Sequence, residues 1–176
     1  MPITYVPVYG DTMVAVDEIH RFGTDAMLLS HFSMSCSGET VCELGTGCGA
    51  IALRLAAGGR PAAVHGVDIQ PDAIALAQLG AARFRGKPKP TFAVGDWRDP
   101  RAIAPAGSYR RVVCNPPYFP AGSGPANDDE AVTLCRHEQA DTLDSLCAAA
   151  AWLLTSGGRF FLCHISRVQI VQIYQI

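Results

Sequence analysis

The chain has no run of about eighteen consecutive apolar residues, the least that a membrane-crossing helix needs, and its N-terminus lacks a charged segment followed by an apolar one. Both absences point to a cytosolic protein that neither crosses a membrane nor carries a secretion signal. Its seven cysteines (Cys36, Cys42, Cys48, Cys114, Cys135, Cys147, Cys163) include no C-x-x-C pair. Several stand in apolar stretches where a thiol acts as a small core residue, so reduced thiols are expected rather than a disulfide framework. The five histidines (His20, His31, His65, His137, His164) show no two-by-two grouping with the cysteines, and no metal site is expected. A net charge of −2 gives the molecule as a whole no attraction for a polyanion. Locally, Arg83, Arg85, Lys87 and Lys89 form a basic stretch. It reads either as a solvated loop or as a rim touching phosphates, whose binding would fall steeply with salt.

What is present fits one domain. At 176 residues and 49% hydrophobic content the chain can bury a core large enough to fold without staples. Short apolar runs alternate with helical patterns, the signature of an α/β fold in which helices on both faces cover an open, mostly parallel sheet. A strand-like opening covers Ile3 to Val8 and Thr12 to Val16, and a helix capped by Thr24 or its neighbour runs from Thr24 to Phe32. Strands are expected at Thr40 to Leu44, Ala63 to Asp68, Thr91 to Val94, Arg111 to Cys114 and Arg159 to His164. Helices are expected from Ala50 to Ala57, stopped by Gly58-Gly59, from Pro71 to Phe84, and from Asp141 to Leu154, with Gly157-Gly158 turning the chain into the last strand. Residues 1 to about 35 read as an N-terminal extension, about 36–165 as the ligand-binding core and 166–176 as an atypical tail, with no internal repeat.

Two motifs carry chemistry. Gly45, Gly47 and Gly49 lie on the turn between a strand and a helix, where small residues let the backbone approach a ligand that the helix N-terminus faces. The spacing Gly45-x-Gly47-x-x-Ala50, with Asp68 about twenty residues on, also satisfies the dinucleotide fingerprint, so a nicotinamide enzyme is one reading of this half. About seventy residues later, Asn115-Pro116-Pro117-Tyr118 follows a strand that two prolines prevent from continuing.

Glu43 stands two residues ahead of the glycines, and this E-x-G-x-G-x-G arrangement resembles motif I of S-adenosylmethionine-dependent methyltransferases of class I, with their Rossmann-like sheet. The resemblance implies that Glu43 lies near the methionine end of the cofactor, that Asp68 holds its ribose and that Asp96 contacts adenine. Trp97 either lines that adenine pocket or packs in the core. Three acids ending three successive strands converge on the crevice where open α/β sheets bind ligands.

Asn115 to Tyr118 closely resembles the N-P-P-Y motif of methyltransferases that modify an exocyclic or amide nitrogen. An adenine amino nitrogen has its lone pair delocalised into the ring and is a poor nucleophile. Acceptors on the Asn115 side chain and the Pro116 carbonyl steer it toward the methyl and favour charge building on it. Pro116 and Pro117 stiffen the backbone that carries them. Tyr118 supplies a face on which a base stacks, worth about 1 to 3 kcal/mol.

Gly23-Thr24-Asp25-Ala-Met-Leu-Leu29, Tyr118-Phe119 and Arg136-His137-Glu138 look like the bacterial tRNA adenine-N6 methyltransferase family that modifies the adenosine beside the anticodon of a valine tRNA. The resemblance runs over most of residues 17 to 164. It implies an RNA substrate, tRNA in particular, Thr24 and Asp25 near the cofactor, Asn115 serving both cofactor and substrate, and Arg136-His137-Glu138 near the catalytic loop. The motif also occurs in enzymes acting on guanine N2 of ribosomal RNA and on a glutamine of release factors, which stay open as alternatives. So does a domain that binds cofactor or a partner without catalysis, because residues 166 to 176 are too few for the family's last helix and antiparallel hairpin. The alternation of Val, Ile and Tyr with Gln there suggests one strand, leaving the hairpin incomplete and a sheet edge open.

Overall fold

A computed structural model describes residues 2–116 and 143–163, together with the backbone of residues 172–175. A two-stranded antiparallel hairpin comes first, β1 (Thr4–Tyr9) against β2 (Thr12–Val16). Then follow α1 (Thr24–Phe32), β3 (Thr40–Leu44), α2 (Ala50–Gly58), β4 (Ala63–Asp68), α3 (Pro71–Arg83), β5 (Thr91–Val94), α4 (Pro100–Ile103), β6 (Tyr109–Cys114), α5 (Leu143–Leu153), β7 (Leu154–Leu162) and β8 (Gln172–Gln175). The main sheet has the order β5-β4-β3-β6-β7-β8, with β8 alone antiparallel. The expected α/β architecture is therefore present: an open, mostly parallel Rossmann-like sheet.

Strand periodicity divides the core in two. Val41, Val113, Phe161 and Cys163 face one side, where α2, α3 and the β1–β2 hairpin cover them. Cys42, Leu44, Val112, Cys114, Phe160 and Leu162 face the other, under α5. This is the near-continuous apolar strand expected when both faces of a parallel sheet are covered.

The ends expected for these two helices are present: the neighbour of Thr24 caps α1, and Gly58-Gly59 ends α2. The N-cap of α1 is Gly23, which offers no side-chain hydrogen bond, and Thr24 is already helical. The cap of α2 is Gly59 in ordinary right-handed geometry, while Arg60 takes the left-handed conformation (φ +51°). Gly59 is needed for space: a Cβ there would stand 2.7 Å from the Met34 carbonyl oxygen. The Gly157-Gly158 pair behaves differently from a simple entry turn. β7 already pairs at Leu154, opposite Tyr109, and resumes at Arg159, opposite Arg111, so residues 155–158 bulge out of the ladder.

One buried charge secures the edge of the sheet where these parallel strands begin. Arg111, 1% exposed, donates to the carbonyl oxygens of Ser33 and Ser35 at 2.6 Å each and to Glu39 Oε2 at 2.8 Å, and Glu39 also receives Arg159. A buried guanidinium is tolerated when its donors are matched in this way.

Candidate functional site at the carboxyl ends of the strands

The chain enters the sheet at β3, builds outward through β4 to β5, then returns to lay β6 on the other side of β3. The loops after β3 and β6 diverge at this switch point and leave a crevice, the usual ligand position in open α/β sheets. A cavity of about 240 Å³ lies there. Its wall includes Glu43, Gly45, Thr46 and Gly47 from the glycine turn, Asp68 after β4, Trp97, and Asn115-Pro116 after β6. It falls just short of the roughly 300–1,000 Å³ of many closed ligand sites, in keeping with a cleft that has an open mouth.

The glycine turn is held by the two acids beside it. Asp68 Oδ2 accepts from the Gly47 amide at 2.7 Å and Oδ1 from the Gln70 amide at 3.0 Å, while the Thr46 amide donates to the Val67 carbonyl at 3.0 Å. Gly47 sits at φ +53°, and a Cβ built on it meets nothing within 4 Å, so its bare backbone faces open space. Gly49, the left-handed N-cap of α2, has a different reason: a Cβ there would stand 2.8 Å from the Phe92 ring.

Glu43 is 2% exposed and accepts from Thr46 Oγ1 at 2.7 Å and the Ala52 amide at 2.8 Å, both through Oε2. Burial pushes its carboxyl up to about 8, with Asp68 adding repulsion. Burial raises Asp68 as well. The folded protein thus holds a proton on Glu43 that the unfolded chain has released, and the stability this brings is whole below the ordinary glutamate range and is lost as pH rises through about 8. Stability measured by denaturant unfolding should fall steadily between about pH 5 and 8 on account of this residue. Glu43→Gln, neutral throughout, should flatten that slope; an identical slope in the variant would mean the carboxyl is already ionised in the folded protein.

Trp97 is half-buried and does two things. It lines the cavity, and it packs on the core beneath α5 so closely to the turn that a Cβ on Gly45 would be 3.2 Å from its ring. Its Nε1 is buried without a hydrogen-bond partner among the described residues, and a ligand acceptor or water would relieve that cost.

The remaining predicted residues stand elsewhere. Asp96 is outside the cavity wall and is gripped by Arg98, whose Nε donates to it at 2.8 and 3.0 Å, holding its carboxyl below the usual range. Thr24 and Asp25 are exposed on the first turn of α1, while their neighbours Arg21, Phe22, Gly23 and Ala26 line the cavity. Pro117, Tyr118 and Arg136-His137-Glu138 lie outside the described residues. Sequence reasoning missed Arg21, Phe22 and Gln70. It also missed His20, buried with Nδ1 3.1 Å from Asp17 Oδ1 and Nε2 3.3 Å from Gln70 Oε1. Only their adjacency to Thr24 and Asp68 in the chain hinted at them. Among the described residues no cluster of His, Cys, Asp or Glu could hold a metal ion, and no helix is long and apolar enough to cross a membrane.

A glycine turn, an acid after the next strand and an Asn-Pro clamp on one crevice define a small class of proteins, and comparison with known families agrees. Residues 16–173 match the family model described as the methyltransferase small domain, and the chain belongs to that family. It is 33% identical over 148 residues to the tRNA1(Val) (adenine(37)-N6)-methyltransferase of Porphyromonas gingivalis, covering 81% of this chain and 57% of that protein. It is 41% identical over 96 residues to the release factor glutamine methyltransferase of Rhodospirillum rubrum, covering 54% of this chain and 28% of that one. The chain thus spans little more than half the length of its tRNA-modifying relative. Among solved structures, TrmN from Thermus thermophilus superposes with a TM-score of 0.59 at 23% identity, over 82% of this chain and 38% of that one. TYW2 from P. horikoshii superposes with a TM-score of 0.65 at 12% identity, over 92% of this chain and 52% of that one. These likenesses establish the fold.

Proposed function

We propose that the protein transfers a methyl group from S-adenosylmethionine to the exocyclic N6 of an adenine in RNA, a tRNA beside its anticodon, and so works in the cytoplasm. The observation that carries this reading is the shared cavity, walled by the glycine turn on one side and by Asn115-Pro116 on the other. Similarity over 81% of the chain to enzymes named for adenine-N6 methylation supports the choice of substrate.

The residues present fit the cofactor. Asp68 spends two of its roughly four lone-pair sites on the Gly47 and Gln70 amides and keeps capacity for ribose hydroxyls. The open backbone at Gly47 leaves room for close approach, and Trp97 offers an aromatic wall with an unmatched donor. We assign Glu43, Gly45, Gly47, Asp68 and Trp97 to the cofactor on these grounds, and give Thr24, Asp25 and Asp96, each a chain neighbour of a residue in the cavity wall, a supporting role. When bound, S-adenosylmethionine supplies an electrophilic methyl carbon on a sulfonium centre. Asn115 and the Pro116 carbonyl accept hydrogen bonds from the target amine and align it, and Pro117 and Tyr118 complete the clamp and the stacking surface. Alignment is the main requirement of an in-line transfer; the nitrogen–methyl bond forms as the carbon–sulfur bond breaks to release S-adenosylhomocysteine, and the extra proton leaves the methylated nitrogen to solvent afterwards, so no dedicated base is needed.

A second reading, methylation of a protein glutamine, draws on the 41% identity to the release factor enzyme over its shorter stretch. Incubation with labelled cofactor and separate tRNA and release-factor fractions distinguishes the two. Label should enter tRNA and appear as N6-methyladenosine on nucleoside mass spectrometry; label confined to the release factor would overturn the RNA reading.

A further inference from the structure

The edge of the molecule opposite the cavity carries a surface that the chemistry of methyl transfer does not use. α3 has 13 residues, so at 1.5 Å per residue it is about 20 Å long; it starts beside Asp68 and ends at Arg83. There the turn of the β1–β2 hairpin, the end of α2 and residues 82–86 enclose a depression of about 840 Å³, lined by Tyr9, Gly10, Thr12, Arg83 and Arg85 among others.

Tyr9 is 46% exposed although its ring is seated. A Cβ on Gly58 would be 2.9 Å from Cε2 and Cζ of that ring, so one part of it lies flush on the α2 backbone and the rest meets solvent. Beside it Arg83 is fixed with its guanidinium carbon 3.6 Å from the centre of the Tyr5 ring. Arg85, Lys87 and Lys89 are all exposed, and none has an ion pair among the described residues. One acid, Asp11, shares the depression. On a chain of net charge −2, four cations within seven residues next to a seated, exposed aromatic ring are a local departure from the rest of the surface.

We propose that this surface binds an unpaired stretch of the RNA substrate, stacking a base on Tyr9 while the phosphates run along Arg83, Arg85, Lys87 and Lys89. A polyanion whose bases are exposed is the partner that uses both halves at once: cations track the backbone, and an aromatic face accepts any base. The distance from the cavity suits a ligand long enough to touch both edges of the sheet. The inference rests on the RNA reading given above and adds a second point of attachment to it.

The test is fluorescence anisotropy of the full chain with unmodified tRNA at about 50 to 200 mM salt, with calorimetry of S-adenosylmethionine on every variant. Tyr9→Ala should weaken tRNA binding about tenfold, and Tyr9→Phe, which keeps the ring, should restore it. The triple variant R85A/K87A/K89A, in exposed positions, should lower the slope of log affinity against log salt by about 2. Cofactor affinity should stay unchanged in all of them. Wild-type binding to tRNA with Tyr9→Ala and the triple variant equal to it would overturn the surface and leave the RNA reading standing. No tRNA binding by the wild type would overturn both.

Discussion

Replacing Asn115 by Ala is expected to lower the rate of methyl transfer at least about a hundredfold while cofactor affinity stays within a few fold. Removing one preorganised hydrogen-bonding group from the place where charge develops typically costs two to three orders of magnitude. Asn115 stands directly after β6, whose buried residues Val112 to Cys114 fix its position, and Pro116 beside it shares the cavity wall with the glycine turn. Losing the side chain removes an acceptor without disturbing the Asp68 hydrogen bonds across the crevice. Single-turnover transfer measured beside calorimetric binding separates the two effects. Turnover equal to wild type would remove the amine clamp from the mechanism; equal loss of binding and turnover would make Asn115 a cofactor residue instead.

Asp68→Ala should do the opposite and act through binding. Its carboxylate joins two loops by accepting from Gly47 at 2.7 Å and Gln70 at 3.0 Å. Hydrogen bonds to a charged acceptor are worth about 1.5–3 kcal/mol each, and truncation leaves both amides unmatched. Cofactor affinity should fall at least about tenfold, and the denaturation midpoint should drop by the equivalent of about 2 kcal/mol. Asp68→Asn should recover part of the stability, since its carbonyl oxygen still accepts from one amide while its amino group confronts the other donor. A cofactor affinity unchanged in Asp68→Ala would show that this acid only braces the turn.

Much of the fold was legible because the strands are short, apolar and punctuated. Thr40–Leu44, Ala63–Asp68 and Thr91–Val94 begin and end where the pattern put them, and Pro71 marks the first residue of α3. Helix ends were less legible. The sequence narrows the cap of α1 to Thr24 or its neighbour, of which Gly23 takes the role, and Gly58-Gly59 ends α2 as expected, but nothing in the sequence shows that the left-handed conformation falls on Arg60. The four-residue α4 carries too few turns for a periodic signal, and the bulge in β7 reflects its pairing with β6, a contact distant in sequence.

The site was legible where backbone chemistry dictated it. Glycines with positive φ and an acid ending the next strand were readable, and they meet at one cavity. Roles set by side-chain neighbours were not. Asp96 pairs with Arg98, two residues on, and Trp97 faces the cleft in its place; the sequence alone offers no means of choosing between adjacent residues. The network that Arg111 makes with the partly exposed Glu39 and Arg159 was likewise invisible, because its members lie 48 to 120 positions apart and meet only when three strands align.

That network also separates durability from chemistry. Arg111 takes hold of Ser35 through its main-chain oxygen, so the anchor does not depend on which side chain that exposed residue carries. The foundation of the sheet is thereby set apart from its opposite rim, where the loops after β3 and β6 line the cleft and can vary while the scaffold beneath them stays put.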